Sequence, residues 1–465
     1  MVFSSPTFLF VFLPLAFGLY FTVRGMAAKN LVLLLLSLGF YAWGEPVMVL
    51  VMLGSIGFNF MAARVIDARE GRARTAALAG AVAVNLLALG VFKYAGLFTE
   101  TLGALGLGMK RSQIALPLGI SFFTFHALSY LIDVHRRRFA ANGRLREVAL
   151  YIAFFPQLIA GPIVRYRTIA RRLAFRRHSW GRASAGLRLL VIGLAMKVLI
   201  ADPLAPLAGA VFDHPGAPSL AAAWTGTLAY TLQIYFDFAG YSLMAIGLGL
   251  AFGFSLPRNF RLPYRSRSIT EFWRRWHITL SAWFRDYLYV PLGGNRHGKA
   301  RTYRNLIIVF LLCGLWHGAS WTFVLWGAWH GLFLVLERLG LGRLLKRLGP
   351  LAWVYAFGVV MLGWVLFRAP TLAGAASVWK GMVGLNGAGG LGPELARVWA
   401  PGQAVLMAAA LALAVFGLKL PRLRLPGRLE SIGAWAPSGA VVAILVLCIL
   451  AVAGGGYSPF LYYRF

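Results

Sequence analysis

Apolar stretches of about 20 residues recur along the whole chain, and this limits the fold more than any other feature of the sequence. A helix needs roughly 20 apolar residues to cross a hydrocarbon core of ~30 Å. The stretches are continuous and do not alternate, which favours a helical bundle over a β-barrel. With 59% hydrophobic and 13% charged residues and a mean hydropathy of +0.71, the chain is predicted to be an all-α polytopic membrane protein.

The net charge of +32 comes from 46 Lys and Arg against 14 Asp and Glu, and the arginines lie mostly between the apolar stretches. Orientation in the membrane and contact with anionic lipids explain this distribution better than a nucleic-acid partner, because no recognition motif is present. We therefore predict that the strongly basic loops face the cytoplasm and that both termini lie outside. Cys313 and Cys448 are interpreted as small buried residues outside any disulfide framework.

The segments predicted to cross the membrane are Phe8–Val23, Asn30–Trp43, Pro46–Val65, Ala76–Phe98, Leu116–Val134, Ala185–Ile200, Leu220–Phe254, Trp353–Phe367, Val405–Leu418 and Gly439–Val452. Loops are expected at Thr99–Ala115, around Asp202 and Asp213, at Thr371–Pro401 and at Lys419–Arg428. No repeat or linker divides the chain, so residues 1–465 are treated as one domain.

Two apolar segments have basic residues on both flanks and must return to the face that they left. Val148–Val164 lies between two arginine-rich loops and is interrupted by prolines, which predicts a re-entrant segment buried in protein. Leu306–Leu336 would be about 46 Å long as one helix, too long for the bilayer. We predict a hairpin that turns near Gly318–Ser320 and places His317 deep in the membrane.

A histidine inside an apolar segment costs free energy to bury and is a candidate for proton transfer. His317 is interpreted as a general base, the alternative being a structural histidine bonded to a neighbouring helix. His330 would lie ~20 Å away on one continuous helix, so the two do not form a local metal site, and no metal is predicted. We expect His330 to pack beside Trp329.

Three further residues are interpreted as structural or ambiguous. Asp237, a lone carboxylate in a predicted span, is expected to pair with an arginine or a histidine. Asp286 is expected to form a local ion pair with Arg285. His126 is polar for a span but is equally compatible with a packing role.

The stretch Phe272–Leu292 combines aromatic and leucine residues at helical spacing with several arginines. One interpretation is an amphipathic helix at the membrane interface. The other is that the stretch folds into the protein and binds the phosphates of an anionic donor, such as a coenzyme. The donor-binding residues are then predicted to be Trp273, Arg274, Arg275 and Arg285.

Three segments resemble the membrane-bound O-acyltransferase family: Arg275–Ser281 (RWHITLS), Trp283–Tyr289 (WFRDYLY) and Gly314–Gly318 (GLWHG). The residues Met1–Ser5, the segment Pro117–Asp133 and the pair Gly161–Pro162 are similar as well. Within the family, the chain is most similar to the inner-membrane subunits of bacterial alginate O-acetylation. The chain departs from the family at His126, where another polar residue is expected, and in a short C-terminal region.

The resemblance implies a ring of about 10–12 transmembrane helices with re-entrant segments around a central tunnel. It places the family's base on His317 and its second polar position on His277, which would position or polarise the donor carbonyl. It implies no bound cofactor, acetyl-CoA or another acyl thioester as donor, and a polysaccharide acceptor outside the cell or in its wall. A periplasmic partner resembling SGNH hydrolases and a location in the bacterial inner membrane are implied too.

Three alternatives to polysaccharide O-acetylation remain open. The first is D-alanyl transfer toward teichoic acids, and the second is acyl transfer to a lipid. The third is a transporter that moves an acylated glycan or lipid without chemistry, although no half of the chain mirrors the other, as an inverted repeat would require.

Overall fold

The computed structural model describes residues 2–110, 112, 114–214, 216–417, 438–454 and 460–461. The chain in these ranges is helical and contains no strand, which confirms the predicted all-α class. The α-helices are α1 Leu13–Thr22, α2 Met26–Gly44, α3 Met48–Asp67, α4 Gly71–Leu89, α5 Ala95–Leu102, α6 Ile120–His135, α7 Leu145–Ala153, α8 Phe155–Leu158, α9 Tyr166–Ala174, α10 Trp180–Ala195, α11 Asp202–Phe212, α12 Leu220–Ala251, α13 Ile269–Trp273, α14 Ile278–Phe284, α15 Gly298–His317, α16 Trp321–Leu336, α17 Gly342–Leu348, α18 Ala352–Arg368, α19 Leu372–Met382, α20 Gly392–Val398, α21 Pro401–Phe416 and α22 Ser438–Ala453. The predicted loop Lys419–Arg428 lies outside the described residues.

Six helical segments of the described chain are long and apolar enough to cross a membrane: Met26–Gly44, Met48–Asp67, Gly71–Leu107, Trp180–Phe212, Leu220–Ala251 and Trp321–Arg368. The bent pair α20 and α21, at 86° to each other, makes a seventh if it counts as one span. Phe8–Thr22 and Gly439–Ala453 are shorter apolar helices. The protein is therefore a multi-pass membrane protein.

α15 and α16 form the predicted hairpin and are joined only by Gly318–Ser320. A Cβ atom on Gly314 would lie 2.2 Å from the carbonyl oxygen of Phe323, and Gly327 meets the backbone of α15 in the same way. Only glycine lets the two helices approach so closely. The turn leaves His317 as the last residue of α15.

The segment Val148–Val164 also turns back, as predicted. α7 is about 14 Å long, too short to cross a bilayer. Asn142 donates hydrogen bonds to Glu147 (2.8 Å) and to Tyr166 (2.5 Å), which lie before and after the segment. The hydroxyl of Tyr151 donates to the carbonyl oxygen of Val164 (2.9 Å). The segment is buried throughout, so its irregular backbone is enclosed by protein.

α10 and α11 belong to one continuous helix, Trp180–Phe212, which packs along α12. A Cβ atom on Gly186 would lie 2.4 Å from the carbonyl oxygen of Gly247, which shows how close the two helices are. The predicted loop after Ile200 is therefore wrong, because Asp202 lies inside the helix. The helix can contain this carboxylate because the Lys197 ammonium lies 2.5 Å away.

Two other predicted loops are largely helical. The helix before Thr99–Ala115 continues to Leu107 through α5 and a π-helical turn, and Thr371–Pro401 contains α19 and α20. The low charge and the glycines of these segments suggested loops, but contacts with neighbouring helices stabilise helical structure. For example, the Trp379 indole in α19 donates to the carbonyl oxygen of Leu362 in α18 (3.3 Å). Tertiary contacts thus override the weak helix propensity of glycine.

The cationic stretch Phe272–Leu292 folds into the protein and is not one interfacial helix. α13 ends at Trp273 and α14 begins at Ile278, and His277 between them has a left-handed backbone (φ 41°). The side chains of Trp276 and other aromatic residues of this stretch are buried. The predicted helical spacing therefore holds within α13 and within α14, but the break at His277 means that the stretch is not one continuous helix.

Three basic segments meet at Asp286, as the topology prediction requires. Arg136 donates to its backbone carbonyl (3.1 Å), and Arg165 forms an ion pair with its carboxylate (2.7 Å). The loops after α6 and after the re-entrant segment therefore lie on the same side of the molecule as the cationic stretch.

In the described part of the chain, six π-helical turns interrupt the helices: Phe8–Phe12, Gly90–Tyr94, Gly103–Leu107, Met196–Ala201, Arg285–Tyr289 and Glu337–Leu341. Four of those six hold a charged residue that is buried or ion-paired, namely Lys93, Lys197, Asp286 and Glu337. A π turn adds one residue to an α-helix and is common at functional sites. Here these turns place charged groups inside the helical bundle.

Candidate active site

His277 and His317 converge, although 40 residues separate them in the sequence. Their ring centroids lie 6.5 Å apart, and their side chains are almost fully buried. His317 comes from the end of α15, and His277 comes from the turn between α13 and α14. The structure therefore brings together the two residues predicted to be catalytic, at a distance at which one reacting group can contact both.

Asn259 fixes the orientation of His277. Its Oδ1 atom lies 3.1 Å from His277 Nδ1, 3.2 Å from the backbone nitrogen of Thr279 and 2.9 Å from Thr279 Oγ1. A backbone N–H only donates, so the Asn259 atom that faces it is the oxygen. His277 Nδ1 must then carry the donated proton, which leaves a lone pair on Nε2. Neutral His277 can accept at Nε2, whereas polarising a carbonyl requires its protonated form.

The re-entrant segment holds Asn259 and His277 in place. The backbone N–H of Ile163 donates to Thr279 Oγ1 (3.0 Å), and that hydroxyl donates to Asn259. The backbone N–H of Ile278 donates to the carbonyl oxygen of Asn259 (2.9 Å). Sequence analysis missed Asn259, because nothing in the pattern around residue 259 indicates this distant contact.

Lys93, in a π turn after α4, fixes the last turn of α15. Its Nζ atom lies 2.5 Å from the carbonyl oxygen of Trp316, 3.5 Å from that of His317 and 3.3 Å from Ser121 Oγ. A cation at a helix C-terminus satisfies unpaired carbonyls and complements the helix dipole. Sequence analysis missed Lys93, although a lysine within the apolar segment Ala76–Phe98 is a functional hypothesis by default.

Aromatic rings enclose the His317 side chain. Their centroids lie 4.9 Å (Trp316), 5.0 Å (Trp326) and 5.2 Å (Phe367) from the imidazole centroid. Such a site excludes water and strengthens every electrostatic interaction within it.

His330 lies in a different environment from His317. Its ring contacts the rings of Phe272 (6.1 Å), Trp273 (5.2 Å) and Trp326 (5.0 Å), and neither ring nitrogen makes a hydrogen bond with any residue that the structure describes. No group of three or more metal-ligating side chains occurs in the part of the chain that the structure describes. His330 is therefore a packing residue, but its ring neighbours are Phe272, Trp273 and Trp326, whereas the predicted neighbour Trp329 donates to the carbonyl oxygen of Val359 (3.0 Å).

The residues predicted to bind the donor do not form one cluster. Arg275 pairs with Glu271 (2.7 Å) and Arg285 pairs with Asp286 (2.6 Å), whereas Arg274 is exposed. Trp273 is only 7% exposed and packs against α15 and α16, so its surroundings are those of a core residue. Phosphate binding by the three arginines stays a prediction.

Asp286 forms the local ion pair that was predicted. Burial raises the pKa of Asp286, but hydrogen bonds and charge from Arg285 and Arg165 outweigh burial and hold that pKa below its usual value. The group is therefore ionised at neutral pH and is unsuited to act as a general acid.

Asp237 has a different partner from the one predicted. Its carboxylate lies 3.0 Å from Lys197 Nζ, and the same ammonium lies 2.5 Å from Asp202. The backbone N–H of Leu461 also donates to Asp237 (2.8 Å). The expected arginine or histidine is thus replaced by a lysine, which a π turn of the neighbouring helix directs toward α12.

His126 is a buried packing residue. Its Nε2 atom accepts from the backbone N–H of Val164 (3.3 Å), and its ring lies 5.5 Å from that of Tyr151. It therefore supports the end of the re-entrant segment.

Comparison with known proteins gives consistent matches. Residues 84–378, a range that includes both converging histidines, match the model of the membrane-bound O-acyltransferase family. The chain is 42% identical to a Pseudomonas putida protein named a probable alginate O-acetylase, and the match covers 100% of each chain. It is 39% identical to a peptidoglycan O-acetyltransferase of Helicobacter pylori, over 83% of this chain and 80% of that protein. It is 29% identical to a teichoic acid D-alanyltransferase of Streptococcus thermophilus, over 54% and 68%.

Proposed function

The chain belongs to the membrane-bound O-acyltransferase family, and we propose that, as an O-acetyltransferase, it passes an acetyl group from a cytoplasmic donor such as acetyl-CoA across the bacterial inner membrane. The acetyl group then serves O-acetylation of an extracellular or cell-wall polysaccharide. The observation that carries this proposal is the convergence of His277 and His317 in one buried site with aromatic walls. Two similar proteins are named for alginate and for peptidoglycan, which favours a polysaccharide acceptor.

In the proposed reaction, His317 removes the proton from an acceptor hydroxyl as its oxygen attacks the thioester carbonyl carbon. The carbon–sulfur bond then breaks, and the thiolate leaves with the proton that His317 had taken. His277 accepts a hydrogen bond at Nε2 and so positions a reactant, because Asn259 holds the proton on Nδ1. Lys93 keeps the last turn of α15, and with it His317, in place.

The donor is proposed to approach from the side on which the basic segments meet. Arg274, Arg275 and Arg285 supply positive charge there for the phosphates of a coenzyme. Two of the three already pair with carboxylates, so Arg274 is the residue whose charge is most available. The acceptor is proposed to arrive from the opposite side, through a periplasmic partner resembling SGNH hydrolases.

D-alanyl transfer is the second candidate, because one similar protein is named a teichoic acid D-alanyltransferase. Its identity is lower and it covers about half of this chain, which favours O-acetyl transfer. A transporter without chemistry would not need two imidazoles held beside each other.

The test is thioester consumption by the purified protein in proteoliposomes with acetyl-CoA supplied on one face. Wild type should release free coenzyme A, and His317→Ala should release ~10²–10⁴-fold less. D-alanyl carrier thioester consumed in place of acetyl-CoA would favour the second candidate. No thioester consumption by wild type, even with the acceptor and periplasmic extract present, would overturn the proposal.

A further inference from the structure

A groove of about 630 Å³ lies outside the histidine site, between α4–α5, α6, α14 and α15. Its lining is almost wholly apolar and includes Leu86, Phe98, Leu128, Leu312 and Trp321. Four of these five side chains are 41–64% exposed, so the groove opens sideways from the helical bundle. The α4–α5 wall from Val82 to Thr101 is roughly 28 Å long, close to the ~30 Å hydrocarbon core of a bilayer.

Three aromatic rings close the inner side of the groove. Phe125 stacks on Trp283 (3.8 Å) and on Trp316 (5.4 Å), and all three line the groove. On its other side, Trp316 contacts His277 (6.0 Å) and His317 (4.9 Å). A molecule in the groove therefore lies one aromatic layer away from the candidate active site and does not enter it.

A cationic cluster borders the groove at Tyr287. Tyr287 lines the groove, and the guanidinium groups of Arg136 and Arg165 each lie 5.5 Å from the centre of its ring. Arg165 and Arg285 pair with the Asp286 carboxylate, and Arg136 donates to the Asp286 backbone carbonyl, so three positive charges surround one negative charge. This excess charge lies on the side that carries the basic segments, where anionic headgroups concentrate.

We propose that this groove is a binding site for one anionic phospholipid of the membrane. An acyl chain fills the apolar groove behind the aromatic layer, and the phosphate lies at the cationic cluster beside Tyr287. Two features favour a phospholipid: the groove has an exposed apolar wall about as long as the hydrocarbon core is thick, and guanidinium groups bind phosphate strongly. The site goes beyond acyl transfer, because the aromatic layer of Phe125, Trp283 and Trp316 separates a molecule in the groove from His277 and His317.

The experiment is native mass spectrometry of the intact protein titrated with phosphatidylglycerol or phosphatidylcholine in detergent. Wild type should retain one phosphatidylglycerol, with a preference over phosphatidylcholine of about tenfold, as expected from one charge-assisted contact. The double variant Leu86→Trp/Leu312→Trp fills the groove from its exposed wall and should lose the bound lipid. Leu87→Trp is the matched control, because Leu87 is the next residue on α4, is exposed and lies outside the groove lining.

Charge is tested separately. Arg136→Gln should abolish the preference for phosphatidylglycerol and leave binding of phosphatidylcholine unchanged, whereas Arg146→Gln, at an exposed position in the first turn of α7, should change neither. Equal lipid retention by wild type and the groove-filled variant would mean annular lipid only and would overturn the proposal. If the double variant does not fold, the wild-type competition between the two lipids decides, since no preference overturns the proposal as well. Lipid retention is independent of thioester consumption, so failure here leaves the proposed function untouched.

Discussion

Two buried polar regions lie on opposite sides of α12, and they differ in how their polar groups are paired. On one side, Lys197 lies within 3.0 Å of both Asp202 and Asp237. On the other, Phe238, the residue after Asp237, packs against His277 (4.8 Å), and His277 Nε2 makes no hydrogen bond within the described ranges. The first region joins opposite charges directly. In the second region, Asn259 orients His277 through the Nδ1 atom, and His277 Nε2 can accept a hydrogen bond from a reactant.

The difference separates structural from chemical use of a polar group in a membrane. Charges in hydrocarbon are costly unless they are paired, so a compensated cluster holds helices together. An oriented imidazole with an open nitrogen contributes nothing to that compensation but can accept a proton or a hydrogen bond. Substitutions in the first region should therefore change stability, and substitutions in the second should change rate.

The largest expected effect distinguishes His317 from His330. His317→Ala should lower polysaccharide acetylation ~10²–10⁴-fold at unchanged protein level, because it removes the general base. His330→Ala should keep substantial activity, because its ring only packs against aromatic neighbours. Acetylation in cells at matched membrane levels of each variant measures both. Loss in His330→Ala with activity kept in His317→Ala would reverse the assignment.

The next effect is on stability. Lys197→Met removes the ammonium that both buried carboxylates contact and should destabilise the fold by about 3–5 kcal/mol, whereas Asp237→Asn keeps the Lys197–Asp202 pair and should cost less. Thermal unfolding in detergent measures both, and thioester turnover per folded molecule should stay near that of wild type. If Lys197→Met unfolds like wild type but no longer turns over, the cluster takes part in the chemistry and the comparison fails.

A smaller effect is expected at Asn259. Asn259→Ala removes the acceptor that fixes the proton on His277 Nδ1 and should lower kcat about tenfold, the value of one hydrogen bond. Asn259→Asp keeps an acceptor oxygen and should recover part of the loss. Steady-state kcat and donor KM, measured separately, test this. A change in KM alone would mean that Asn259 shapes the donor site and not the tautomer of His277.

The smallest effect is expected at the arginines on the donor side. Arg274→Ala should raise the donor KM up to about tenfold, since a charge-assisted contact to phosphate contributes about 1.5–3 kcal/mol before solvent screening. Arg275→Ala and Arg285→Ala should have weaker effects because their charges already meet carboxylates. Arg146→Gln serves as the control. Unchanged KM in all three would remove these arginines from the donor site.

Sequence reasoning found the elements that basic flanks and lengths define. The α15–α16 hairpin and the re-entrant segment follow from the positive-inside rule and bilayer thickness, and the structure confirms both. The helix Asp202–Phe212 was missed because Asp202 suggested a loop. The partner of Asp202, Lys197, lies five residues earlier, in a π turn that sequence periodicity does not reveal.

The same limit applies to the site. His317 could be identified because burying a histidine in an apolar segment costs free energy, and such a segment is recognisable from the neighbouring residues alone. Asn259 and Lys93 act through contacts with residues that are distant in the chain, and one sequence contains no record of those contacts. Trp273 was predicted to bind the donor together with the arginines, and this role stays a prediction; the break after α13 directs its indole into the core.

The π turn Met196–Ala201 also bears on how chain length can vary in such a protein. Deleting one residue from an ordinary membrane helix rotates every later side chain by about 100° and exchanges its lipid-facing and buried sides. A π turn already contains one surplus residue, so a deletion there restores a regular α-helix and preserves both flanking faces. At this position a single-codon deletion would therefore remove or displace a buried positive charge while the rest of the helix kept its alignment with α12.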